Sequence, residues 1–211
     1  MPTIAHESGS PKITALRALL SEKFPAAEPK AAGVFRVDSP EIELRRGAVT
    51  EVCGSPGSGM LLLEGLIGAA RAAGMMVALV DGTGGFDPAQ CGRDLRHLLW
   101  VRCAEAGTAV KAADLLLRDG NIPLILLDLQ MNADLRRIPA TTWYRFQRIV
   151  EPTASMLVAF TPRPVVSSAV ERIELHNRWT LAAMQRRRTE LRLVAERVHR
   201  RAQAAPELRI A

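Results

Sequence analysis

The segment Gly54-Ser55-Pro56-Gly57-Ser58-Gly59-Met60-Leu61 is where this chain comes nearest to chemistry. Its two outer glycines have the spacing of a Gly-x-x-x-x-Gly-Lys-Ser/Thr phosphate loop placed between a strand and a helix. In a working loop the glycines let backbone amides wrap the phosphates, the lysine meets the terminal phosphates, and the hydroxyl holds magnesium. Here the lysine position is Met60 and the hydroxyl position is Leu61. Charge-assisted hydrogen bonds are worth about 1.5–3 kcal/mol each, so losing both groups removes the grip on Mg-ATP. The expectation is a turn kept for its geometry, with no catalytic residue, no cofactor and at most weak holding of a sulfate or phosphate at the helix start. Asp128 ends the apolar run Leu124 to Leu127, where a magnesium-holding Walker B aspartate would stand. After Asp81-Gly82-Thr83 no catalytic glutamate follows, and Asp87 in Phe86-Asp87-Pro88 has the character of a turn and helix-cap residue.

Other reactive side chains form no constellation. Cys53, Cys91 and Cys103 are odd in number, widely spaced and set in or beside apolar stretches, which predicts buried free thiols over metal or redox use. His6, His97, His176 and His199 show no ligand spacing, so no metal site is expected. Trp100, Trp143 and Trp179 lie on separate elements and are expected to pack. Lys and Arg number 28 against 22 Asp and Glu, a net charge of +6 that allows a polyanionic partner without requiring one.

The elements that position the loop follow from the hydrophobic pattern. With 211 residues, 48% hydrophobic and 24% charged, the chain fits one domain with a sizeable core and not a disordered, collagen or coiled-coil chain. No apolar run approaches the roughly 18 residues needed to span a bilayer, and the first residues lack a signal pattern, so a cytoplasmic protein is expected. Strands are expected at Ala48 to Cys53, Met76 to Asp81, Leu98 to Arg102, Ile122 to Leu129 and Met156 to Phe160. Helices are expected at Met60 to Ala73, Gly107 to Arg118 and Thr141 to Val150. The strands are continuously apolar, as in a parallel sheet covered on both faces, which makes this an α/β domain over residues 41–211 with the loop at the carboxyl edge. Ile13, Leu16, Leu19 and Leu20 mark a short amphipathic helix, and Phe24 to Pro40, rich in Ala, Pro and Gly, is expected to be its tether. Periodicity leaves Glu190 to Val198 open between strand and helix.

Several segments in order and spacing resemble the RecA core: Arg46 to Val52 before the glycine loop, Val80-Asp81-Gly82 with Phe86-Asp87-Pro88, Leu98 to Arg102, Asp114 to Arg118, and the strand ending in Asp128. The resemblance spans roughly Leu44 to Ile210 and implies a RecA-like core with a mostly parallel central sheet flanked by helices. It also implies closure by carboxy-terminal antiparallel strands at Ala169 to Leu181 and Glu190 to Arg200. The stretch Gln130 to Thr142 is short where RecA carries a DNA-binding loop, the link from Thr161 to Ser168 is too brief for a second one, and a core lacking the RecA carboxy-terminal domain is expected. A RecA-like core with its nucleotide chemistry erased is similar to the ImuA family; Leu98 to Arg102, Leu115 to Gly120 and Thr161 to Ala169 carry that likeness.

Membership would imply a non-catalytic accessory protein of DNA-damage-induced mutagenesis and translesion synthesis in the SOS response, partnered by an ImuB-like polymerase homologue. A cell-division inhibitor like SulA is the nearest competitor, and a divergent P-loop ATPase drawing a lysine from elsewhere, such as Lys111, is a third reading. Arg186, Arg187, Arg188 and Arg192, in a longer run of arginines, are candidates for DNA contact or form a solvated face. Arg136 and Arg137 fall in the stretch matching the first DNA loop. By the same resemblance Leu16, Leu19 and Leu20 are candidates to dock on a second copy or a RecA protomer, or else on the chain's own sheet.

Overall fold

In a computed structural model of the chain, the described residues are 33–38, 41–91, 95–132, 135–177, 180, 182, 185, 186 and 190–200. All belong to the larger of the chain's two compact units, Ala31–Ala211. The expected helix with Leu16, Leu19 and Leu20, and Arg187 and Arg188, lie outside the described residues.

The first element corrects the sequence reading. Strand β1 (Val34–Asp38) falls inside the expected tether and pairs antiparallel with β2 (Glu41–Arg45), from Val34↔Arg45 to Asp38↔Glu41. Phe35, Val37, Ile42 and Leu44 alternate with polar neighbours and are buried, the period of a half-buried strand. The Pro and Gly content around them hides that alternation. Arg36 and Glu43, directly opposite on the exposed face, form an ion pair at 2.9 Å.

Beyond the hairpin, strands and helices alternate. They run β3 (Ala48–Gly54), α1 (Met60–Ala72), β4 (Val77–Asp81), β5 (Leu98–Arg102), α2 (Ala106–Asp119), β6 (Leu124–Asp128), α3 (Ala140–Thr153), β7 (Met156–Thr161), β8 (Glu171–Leu175) and β9 (Ala195–Arg200). The seven main strands lie in the order β5-β4-β6-β7-β3-β8-β9. All neighbours are parallel except β8 and β9. The two closing strands β8 and β9 are antiparallel to each other, as expected, and β8 joins the sheet parallel to β3. The open choice for the last stretch resolves in part to a strand, beginning at Ala195.

Successive side chains of one strand serve opposite faces. Leu124 and Leu126 of β6 join Leu62, Leu63 and Leu66 of α1 and the hairpin's apolar residues in one core. Ile125 and Leu127 join Val110, Ala113 and Leu117 of α2 and Trp143, Phe146 and Val150 of α3 in the other. Both faces of β6 are thereby covered, and its five residues are buried without alternation. Helix α2 ends where Gly120 adopts φ 72° and donates its amide to the Leu116 carbonyl, a left-handed cap that favours glycine.

Candidate functional site at the carboxyl edge of the sheet

The glycine loop follows the carboxyl end of β3, and the chain leaving the carboxyl end of β6 reaches it through Gln130. Gly54 closes β3, Ser55, Pro56 and Gly57 are exposed, Ser58 and Gly59 are buried, and Met60 and Leu61 open α1, half-buried. Met60 packs against the hairpin-side core, which is where its thioether goes in place of an ammonium facing a ligand. Helix α1 has no side-chain cap.

The loop's amides turn inward on the protein. Ser58 donates its amide to the Ser55 carbonyl at 2.9 Å and Met60 donates to the Gly57 carbonyl at 3.3 Å. Between them the Gly59 amide donates to Oε1 of Gln130 at 3.3 Å. Gln130 is 4% exposed, and its own amide donates to Oδ1 of Asp128 at 3.0 Å. A Cβ on Gly59 would stand 2.8 Å from Cδ1 of Phe160 and 2.9 Å from both polar atoms of the Gln130 side chain, so only glycine fits there. Nε2 of Gln130 and Oγ of Ser58, both buried, have no hydrogen-bond partner among the described residues.

Beside the loop stands a carboxylate pair of which the sequence reading found only half. Asp81 and Asp128 end adjacent parallel strands in register, and both are buried. Oγ1 of Thr83 lies 3.0 Å from Oδ1 of Asp81 and 3.2 Å from Oδ2 of Asp128. One hydroxyl proton serves one carboxylate; a proton on Asp128 completes the chain Asp128 to Thr83 to Asp81. Burial is the largest influence on Asp128 and pushes its carboxyl up to about 6; the Gln130 amide and Thr83 hydroxyl oppose this, and the Asp81 charge adds to it. Burial also acts to raise Asp81, but hydrogen bonds from the Thr83 hydroxyl, the Thr83 and Gly84 amides and the Trp100 indole outweigh it and leave Asp81 below its usual range. The shared motif Val-Asp and Leu-Asp at the ends of two apolar strands is the signal that points to the pair.

In the middle of β3 Glu51 is wholly buried. Its Oε1 accepts from the Thr161 hydroxyl (3.0 Å) and the amides of Val165 (2.7 Å) and Val166 (3.0 Å), while Oε2 accepts from Nε of Arg172 at 2.8 Å. One carboxylate thus shapes the short link between β7 and β8. Nothing in the local sequence marks Glu51 for that role, since its partners lie more than 100 residues away.

The remaining candidates are dispersed. Arg136 and Arg137 are exposed on a 3-10 turn, Leu135–Arg137, after β6. Arg186 and Arg192 are exposed as well, and the Arg192 backbone carbonyl accepts from Nδ2 of Asn177 at 2.9 Å. Because β9 starts at the carboxyl end of β8, Arg192 shares an edge with Arg136 and Arg137. Four strand positions separate β6 from β9, about 19 Å at the usual strand spacing. Lys111 sits exposed on α2, across the sheet from α1, and so does not stand in for the missing loop lysine. Asp87 behaves as expected, its Oδ1 accepting from the Ala89 amide at 3.0 Å ahead of the 3-10 turn Pro88–Cys91. Cys53 is buried and Cys103 half-buried, both free. Among the described residues no helix is long and apolar enough to cross a membrane.

Strand order, parallel pairing and the loop at the first crossover define a RecA-like α/β core. A solved structure described as the RadB recombinase is similar to this chain, with 14% identity, a TM-score of 0.50, and coverage of 63% of this chain and 76% of that one. No protein-family model and no curated protein matches the sequence.

Proposed function

We propose that this chain is a non-catalytic RecA-like accessory protein of DNA-damage-induced mutagenesis, of the ImuA type, acting in translesion synthesis by binding other proteins. What carries the reading is the state of the loop: its lysine and hydroxyl positions are apolar, and the amides of Ser58, Gly59 and Met60 are bonded within the protein. An oxyanion entering there would have to break those bonds before making its own. The partners are an ImuB-like polymerase homologue and, through Leu16, Leu19 and Leu20, RecA or a second copy. Arg136, Arg137, Arg186, Arg187, Arg188 and Arg192 are the positions for direct DNA contact, which would weaken steeply as salt rises.

Two measurements test this. Purified protein with Mg-ATP is expected to show no turnover; a rate abolished by Asp128→Ala would establish an ATPase instead. Co-purification from cells with damaged DNA is expected to bring down a polymerase homologue. Recovery of the cell-division machinery, with filamentous cells on overexpression, would favour the SulA-like alternative.

A further inference from the structure

We propose that Gln130 is a built-in occupant of the glycine loop, its side-chain amide standing where an oxyanion would be gripped and holding the loop closed without a ligand. This rests on the non-nucleotide reading above and adds a residue and a mechanism to it.

Three features converge on Gln130. Its side chain crosses from the end of β6 to the first crossover and accepts the Gly59 amide, the central donor of the loop. Its backbone is fixed by Oδ1 of Asp128, so the side chain is aimed from a rigid strand end. Gly59 is matched to it, since a side chain at 59 would collide with both polar atoms of the Gln130 amide. The fit is incomplete on the donor side: Nε2 of Gln130 is buried with no hydrogen-bond partner among the described residues. A space lined by a glycine amide and a helix start suits a small oxyanion, and Gln130 holds it in that ligand's stead. The neighbouring Asp128 and Asp81 carboxylates, with no cation at position 60, leave the space a weak anion site even when emptied.

The occupant also connects two surfaces. From Gln130 the chain continues to Asn132, whose Nδ2 donates to the Gly82 carbonyl at 2.8 Å, and on to the turn bearing Arg136 and Arg137. A fixed Gln130 therefore gives that turn and the start of α1 a constant relation that a nucleotide would otherwise impose.

The test is amide hydrogen exchange on the full chain, comparing wild type with Gln130→Met, which keeps the length and removes the acceptor. The Gly59 amide and the first turn of α1 are expected to exchange about tenfold faster in the variant. Inorganic phosphate at about 50 mM is expected to restore protection in Gln130→Ala, whose shortened side chain empties the space, and to leave wild type unchanged, as suits a site with millimolar affinity. Equal protection in wild type and Gln130→Met would overturn the proposal. So would amide shifts at residues 57–61 of wild type on titration with phosphate, a measurement that stands even if the variant fails to fold. A separate titration of wild type with Mg-ATP distinguishes the failures: binding there refutes the functional reading, whereas silence there with unchanged exchange in Gln130→Met refutes only the role of Gln130.

Discussion

Replacing Glu51 by alanine should destabilise the protein by a large fraction of its folding free energy. The carboxylate accepts four hydrogen bonds, and their donors fare differently once it is gone. Arg172, with 22% of its side chain exposed, recovers water, and the half-buried Val165 amide recovers some. The buried Thr161 hydroxyl keeps only the weak Cys53 Sγ at 3.5 Å as a partner, and the Val166 amide, 1% exposed, stays unsatisfied. One orphaned amide at about 1–3 kcal/mol, with the three weakened donors beside it, gives an expected loss of about 4 kcal/mol. That is a large part of the 5–15 kcal/mol typical of a domain.

Urea unfolding followed by circular dichroism reads this as a fall in midpoint of about 2 M, taking a slope near 2 kcal/mol per M. Glu51→Gln separates the two oxygens: its carbonyl can keep the Thr161, Val165 and Val166 donors, while its amide meets the Arg172 donor head on. A loss of about 2 kcal/mol is expected for Glu51→Gln and about 3 for Arg172→Met, with the double variant losing clearly less than the sum. Strict additivity, or a loss under about 1 kcal/mol for Glu51→Ala, would refute the view that this carboxylate organises the link between β7 and β8.

Three further outcomes are expected. Met60→Lys with Leu61→Thr restores the side chains of a phosphate loop but leaves Gly59 bonded to Gln130, so calorimetry should still find Mg-ATP binding no tighter than about millimolar. Asp128 binds its proton more tightly folded, near 6, than unfolded, near 3.9, so its contribution to stability is intact below about pH 4 and falls as pH rises through 6; Asp128→Asn should therefore gain about 1–2 kcal/mol over wild type at pH 8 and little at pH 4 in urea unfolding. Burial pushes the Cys53 thiol up to about 12, ahead of the Glu51 charge, and in a Cys91→Ser background a thiol reagent at pH 8 should reach Cys53 only on unfolding, while the half-buried Cys103 reacts slowly in the native state.

The fold was legible where the physics is local. Continuous apolar runs such as Leu124 to Leu127 declare a strand buried on both faces, and the spacing of Val110, Ala113 and Leu117 declares a helix face. The hairpin at β1 and β2 was equally local, yet its alternation of Phe35 with Val37 and Ile42 with Leu44 is only two residues deep on each strand, too short to stand out beside the Pro and Gly around it. The direction of β8 lay beyond the sequence, because the same apolar alternation suits either sense and the choice is made by pairing with β3, some 120 residues earlier.

For the site, the sequence identified what was missing and not what replaced it. Met60 and Leu61 announce the loss of a lysine and a hydroxyl by type and position alone. The replacement depends on approach in space: Gln130 is 71 residues from the amide it receives, and Thr83 is 45 residues from the second carboxylate it touches. A loop with no lysine or hydroxyl to hold a phosphate still has buried amides, and buried amides must be satisfied. Where no phosphate is held, the protein chain has to supply an acceptor of its own. Gln130 is that acceptor, and the demand for it could be deduced from Met60 and Leu61 even though its identity could not.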